Sequence, residues 1–161
     1  MLLSLAHTAV CVTDLEAAVR WYSETLGLTV LAPPFRMEGA EIERDMGELL
    51  PAPVVVRASI LGIEATDNVI ELIEYPEVPR TGSSDGRYPI SRPGPAHIGL
   101  VCDDIDETRR ELEKRGVEFL TGEVADIAGL RTTWFSDPWG TVFILLEKCR
   151  PDRPYWRQPW K

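Results

Sequence analysis

Histidine is nearly missing from this sequence: His7 and His97 are the only two in 161 residues. Cysteine is almost as scarce. Cys11, Cys102 and Cys149 are odd in number and show no CxxC spacing, which excludes a disulfide framework and a paired-thiolate metal site. A reduced, cytoplasmic chain is expected, with the cysteines as small core residues. An excess of positive charge is absent too. Lys and Arg total 17 against 26 Asp and Glu, giving a net charge of -9 and a pI near 4.7. That speaks against nucleic acid or an anionic membrane surface as a partner. No apolar run reaches the roughly 20 residues of a spanning helix. The stretch MLLSLAHTAVCVTDLE has no basic leader and alternates like a strand, so no signal peptide is expected. What remains is ordinary for one globular domain or two small half-domains: 44% hydrophobic and 27% charged residues.

The chain repeats itself. Residues 5–19, LAHTAVCVTDLEAAV, align with residues 95–109, PAHIGLVCDDIDETR. Ala6 meets Ala96, His7 meets His97, Val10 meets Leu100, Asp14 meets Asp104 and Leu15 meets Ile105. One residue is then lost, and LGLTVL (26–31) meets RGVEFL (115–120). Each copy spells a strand, an acidic helix cap, an amphipathic helix, a Gly stop and a second strand. The helices are expected over Asp14–Leu26 and Ile105–Arg115. Two further strands follow in each half, at 54–61 and 68–75, then at 130–137 and 141–148, the last pair joined by the turn DPWG. The expectation is an α+β chain of two tandem βαβββ modules. The first covers 1–78 and the second 96–149, within a single domain over 1–161. The acidic, Pro- and Gly-containing insert 33–53 reads as a loop with a short helix that could cover a site. Residues 79–95 form a Pro/Gly/Ser-rich linker. The tail 150–161 carries three prolines, which exclude a long helix. Its Tyr155, Trp156 and Trp160 are expected to pack on the surface or on a partner subunit.

The stretch DNVIELIEYPE (67–77) reads as a strand with an acid on each face. Val69, Glu71, Ile73 and Tyr75 share one side; Ile70, Leu72 and Glu74 share the other. A buried unpaired carboxylate is costly, so each acid needs a reason. Glu74 is expected on a surface-facing side. For Glu71 the reason comes from the histidines. They occupy equivalent positions in the two copies, so a pseudo-two-fold axis could bring them to one point. Neutral imidazole is a common transition-metal ligand, and two imidazoles with one carboxylate suit Zn, Ni, Co, Mn or Fe(II) with coordination positions left open. The candidate metal ligands are therefore His7, Glu71 and His97.

These pieces resemble the vicinal oxygen chelate superfamily (glyoxalase, bleomycin resistance protein and extradiol dioxygenase). The resemblance rests on AHTAVCVTDLEAAVRWYSETLGL, VIELIEY, AHIGLVCDDID, LEKRGVEF and FSDPWG, and is closest in motif to lactoylglutathione lyase and methylmalonyl-CoA epimerase types. It implies sheets curled into a glyoxalase-like cup around a divalent metal, with His7, Glu71 and His97 as ligands. It also implies a fourth ligand, a Glu on the last strand, at the position that is Ile144 here. The internal repeat agrees, since VIELIEY over VFILLEK sets Glu71 opposite Ile144. Glu147 matches Glu74 and falls on the other face.

The chemistry implied is chelation of a small substrate through adjacent oxygens, with the metal stabilising an enolate as a proton leaves. A metal-dependent isomerase, epimerase or lyase is the first expectation. A binding or antibiotic-resistance protein without catalysis is the second, favoured by Ile144 and by aromatic candidates Trp134, Phe135 and Trp139 for a ligand. An Fe(II) extradiol-type dioxygenase is the third, although those enzymes take their carboxylate from the last strand. The base is unassigned; Glu41, Glu43 and Glu48 in the insert are candidates, alongside Glu38 and Asp45. Open sheet edges and the resemblance together suggest a homodimer.

Overall fold

A computed structural model describes residues 5–63, 68–79, 91 and 94–159. The chain divides into two compact units, Met1–Gly82 and Ser83–Lys161. The linker expected at 79–95 lies mostly outside the described residues, as does Trp160.

In the first unit the order is β1 (His7–Cys11), α1 (Leu15–Glu24), β2 (Thr29–Glu38), α2 (Ala40–Met46), β3 (Val55–Gly62) and β4 (Val69–Glu74). The sheet order is β1-β4-β3-β2. Strands β1 and β4 run parallel, and the other neighbours are antiparallel. Asp14 caps α1 by accepting from Ala17 N–H at 2.9 Å. Gly27, at φ 76°, ends the turn beyond it, a conformation that disfavours side chains. Leu15, Ala18 and Tyr22 are fully buried on α1, which packs across β2, β3 and β4. The opposing strand residues Val10, Leu61, Ile70 and Leu72 are buried with them.

The second unit repeats this plan: β5 (Ile98–Cys102), α3 (Ile105–Lys114), β6 (Ala125–Ile127), β7 (Leu130–Ser136) and β8 (Val142–Lys148), with sheet order β5-β8-β7-β6. A short 3₁₀ turn, Tyr155–Arg157, follows. Asp104 caps α3 through Glu107 N–H at 2.9 Å. Phe135 and Phe143 stack at 5.1 Å beneath it, both fully buried. Two four-stranded mixed sheets with helices result, neither closed into a barrel.

Two expectations about strand positions need correction. Residues 33–38 are not loop. They extend β2, which is an edge strand, and the register shifts around Pro33 and Pro34 absorb the two prolines as a bulge. The second strand of the second half is not at 115–120. That stretch makes only an isolated bridge, Phe119 to Phe135, and the edge strand is β6. It pairs with β7 through a two-residue turn in which Ala128 (φ 53°) and Gly129 (φ 74°) are both left-handed, the geometry that suits a tight hairpin.

One arrangement occurs in both units. Arg57 on β3 donates to Glu74 of β4 at 2.7 Å and to Glu16 in the first turn of α1. Arg131 on β7 donates to Glu147 of β8 at 3.1 Å and to Asp106 in the first turn of α3 at 2.9 Å. Glu147 also accepts from Ile105 N–H at the start of α3, at 2.9 Å. Glu74 is therefore not on a bare surface face. It is half-buried and tied between sheet and helix.

Arg57→Met leaves Glu74 half-buried without its cation and is expected to cost about 1–3 kcal/mol in urea unfolding, with Arg131→Met similar. The hydrogen bond from Arg57 also holds the Glu16 carboxyl below its ordinary value. A depressed carboxylate stabilises above the usual range and loses that share as pH falls through the depressed value. Glu16→Gln is thus expected to cost about 0.5 kcal/mol at neutral pH, Glu16 being half exposed, and progressively less as pH falls through the depressed value.

Candidate functional site

The face of the first sheet turned away from α1 is where the chemistry gathers. In the β1–β4 register His7 pairs with Val69, Ala9 with Glu71 and Cys11 with Ile73. Alternation puts all of these on the open side, while Val10, Ile70 and Leu72 go under the helix. His7 Nε2 lies 3.2 Å from Glu71 Oε2, with side-chain exposures of 50% and 18%. Tyr75 continues the Glu71 side of the strand. Burial, then Cys11 and Glu71, push its phenol up, which keeps it an O–H donor at neutral pH.

The spacing can be compared with what an ion requires. Donors about 2.0–2.2 Å from a divalent metal sit about 3 Å from one another at neighbouring positions. The pair His7–Glu71 meets that spacing and offers one nitrogen and one oxygen, a donor set that fits Zn, Ni, Co, Mn or Fe. Among the described residues, no three His, Cys, Asp or Glu side chains gather into a metal-binding group. His97 belongs to the second unit.

There the register is equivalent. Gly99 faces Ile144 across β5 and β8, as Ala9 faces Glu71 across β1 and β4. Ile144 thus stands where the first unit has its acid. Trp134 pairs with Ile144 from the other side, as Ile60 pairs with Glu71. The ring of His97 meets that of Trp134 edge-on at 4.9 Å. Beside them an apolar groove of about 480 Å³ runs along the open face, lined among others by His97, Val101, Leu130, Ile144, Leu146 and Tyr155.

The other candidates scatter. Glu43 Oε1 accepts from Val54 N–H at 2.7 Å, which ties α2 to the start of β3. Glu41 and Glu48 are solvent-exposed, as is Asp45, and α2 buries none of its residues. Glu38 pairs with Arg36 along β2 at 2.7 Å. Trp139 lies in the β7–β8 turn, its backbone N–H donating to the Asp137 carboxylate at 3.0 Å. Phe135 is core beneath α3 rather than lining. Tyr155, whose place in the tail suggests packing alone, reaches the groove. Nothing in the tail's spacing shows this, because it depends on how the chain folds back after β8.

The model of the Glyoxalase/Bleomycin resistance protein/Dioxygenase superfamily matches residues 4–145. The chain belongs to that superfamily. A curated relative, the uncharacterized protein YwkD of Bacillus subtilis (strain 168), is 25% identical over 138 residues, covering 86% of this chain and 91% of its own. A glyoxalase family protein from Bacillus cereus superposes with a TM-score of 0.77 at 22% identity, over 93% of this chain and 97% of that one. The trypanothione-dependent glyoxalase I of Leishmania major gives 0.61 at 21% identity, over 90% and 86%. TnmS3, an antibiotic binding protein from Streptomyces sp. CB03234, gives 0.56 at 21%, over 91% and 97%. At these identities the structures share the fold. No helix among the described residues is long and apolar enough to cross a membrane.

An acid held for function differs from one held for stability. Glu71→Leu replaces a half-buried carboxylate by an apolar residue between Ile70 and Leu72. It is expected to leave stability unchanged or raise it by about 0–1 kcal/mol in urea unfolding, in contrast to losing the Arg57–Glu74 pair.

Proposed function

We propose that this chain is a metal-dependent isomerase, epimerase or lyase acting on a small substrate with adjacent oxygens. The contact between His7 and Glu71 on an open sheet face, at the spacing of neighbouring metal ligands, carries the reading. His7, Glu71 and His97 would hold the divalent cation, which when bound supplies Lewis acidity to the substrate's oxygens. The residues themselves do the rest. Glu71 carries the carboxylate of the open face and can accept a proton from the carbon beside those oxygens. Tyr75, protonated at neutral pH, can donate at the same face. Ile144 removes the second carboxylate from the reaction, so proton transfer is one-sided. That favours chemistry needing one base over chemistry needing two opposed ones.

Metal analysis of purified protein tests this. The wild type is expected to retain about one Zn, Ni, Co, Mn or Fe per chain, and His7→Ala, Glu71→Gln and His97→Ala each to lose it. Retention by His97→Ala would remove the three-ligand site. Exchange of a substrate C–H for deuterium by the metal-loaded wild type is the expected sign of the proton transfer; because Glu71 would also be a ligand, Glu71→Gln is expected to lose metal and exchange together.

The apolar groove with Ile144 favours a second reading, a small-molecule binding protein without catalysis. The same variant separates the two. If the site is catalytic, Ile144→Glu supplies a fourth donor and is expected to tighten metal retention about tenfold. If the groove alone matters, the change is expected to weaken ligand binding and leave metal content as it was.

A further inference from the structure

The tail beyond β8 is stitched down by one side chain. Gln158 is 2% exposed. Its Nε2 donates to the carbonyls of Arg150 at 3.0 Å, Arg153 at 3.1 Å and Pro154 at 3.2 Å, and its Oε1 accepts from Arg150 N–H at 2.9 Å. Lys148 Nζ donates to the carbonyls of Pro151 at 2.7 Å and Arg153 at 2.9 Å. The loop so closed is docked on the β6–β7 hairpin. Cys149 N–H donates to Gly129 O at 3.2 Å, and Pro159 lies so close that a Cβ on Gly129 would stand 2.8 Å from its Cδ. A chain end anchored this heavily by backbone-directed bonds is a built element. Its product is the position of Tyr155 at the groove.

We propose that the tail is a fixed wall of a ligand site and that Tyr155 is a specificity-determining residue within it. The ligand is a planar, ring-bearing molecule, uncharged or phenolic. The groove's size is that of a small-molecule site. Its lining is mostly aliphatic, with Val101, Leu130, Ile144 and Leu146 projecting from neighbouring strands of one sheet face, a surface that suits the apolar face of a ring system. Among its lining residues there is no carboxylate and no ammonium, in a chain of net charge -9. Its polar groups are the imidazole of His97, the Thr132 hydroxyl and the Tyr155 phenol. That set complements an electron-rich oxygen and, with no carboxylate, offers a cation no counter-charge. Ile144 in place of an acid is what makes this half hospitable to such a body. The proposal rests on reading the open faces as ligand sites, and it does not require the cation.

The test titrates EDTA-treated, full-length protein with naphthalene-2,3-diol, following the probe's fluorescence anisotropy. Saturable binding is expected with Kd on the order of 0.1–1 mM for a probe this small. Tyr155→Ala is expected to weaken it about tenfold, and Tyr155→Phe, which keeps the ring, no more than about threefold. Gly129→Ala forces Pro159 away while leaving Tyr155 in the sequence, and is expected to weaken binding as Tyr155→Ala does. Absence of saturable binding by the wild type, or unchanged affinity in Tyr155→Ala, overturns the proposal. So does a sedimentation experiment in which Tyr155→Ala dissociates a dimer that the wild type forms without binding probe, since the groove would then receive a second copy. Because the titration is metal-free, its failure leaves the metal analysis untouched, and a metal-free wild type leaves the groove standing.

Discussion

Arg57, held between Glu16 and Glu74, decides which way β4 faces. A strand allows its side chains only two directions, and pinning one acid toward the helix sends the other, three residues earlier, to the opposite side. Glu71 reaches the open face because Glu74 is claimed by an arginine beneath α1. The partner strand then completes the placement. Parallel pairing of β1 with β4 brings His7 diagonally beside Glu71, and the imidazole–carboxylate contact follows from register rather than from any local motif.

The second unit uses the same anchor for a different end. Arg131 ties Glu147 to α3 just as Arg57 ties Glu74 to α1, so helix and last strand are joined in the same way in both halves. On the face that the anchor leaves free, the carboxylate has been replaced by Ile144 and the neighbouring position by Trp134. One half presents polar donors and the other an aliphatic channel ending in an imidazole.

Much of this was legible in the residues. The matched histidines, the acidic helix caps, the Gly stops and the opposition of Glu71 with Ile144 were readable from the internal repeat, and the strand registers agree with that alignment. Other features were not. Prolines at 33 and 34 argue for loop in any local reading, but an edge strand needs no donor on its free side and accommodates them. The Ala128–Gly129 turn lacks the usual Asn-Gly or Asp-Gly signal, so nothing local in the sequence marks β6. The role of Glu74 is not visible locally, because its arginine is 17 residues away in sequence. Gln158 gives no sign in the sequence of the bonds that it makes.

The repeated Arg–acid–acid anchor has a practical consequence. Arg57 and Arg131 are equivalent positions in one molecule, with the same chemistry and different surroundings. Each half is therefore an internal reference for the other. A perturbation felt equally at both arginines belongs to the common framework, and one felt at a single arginine reports what has diverged since the duplication.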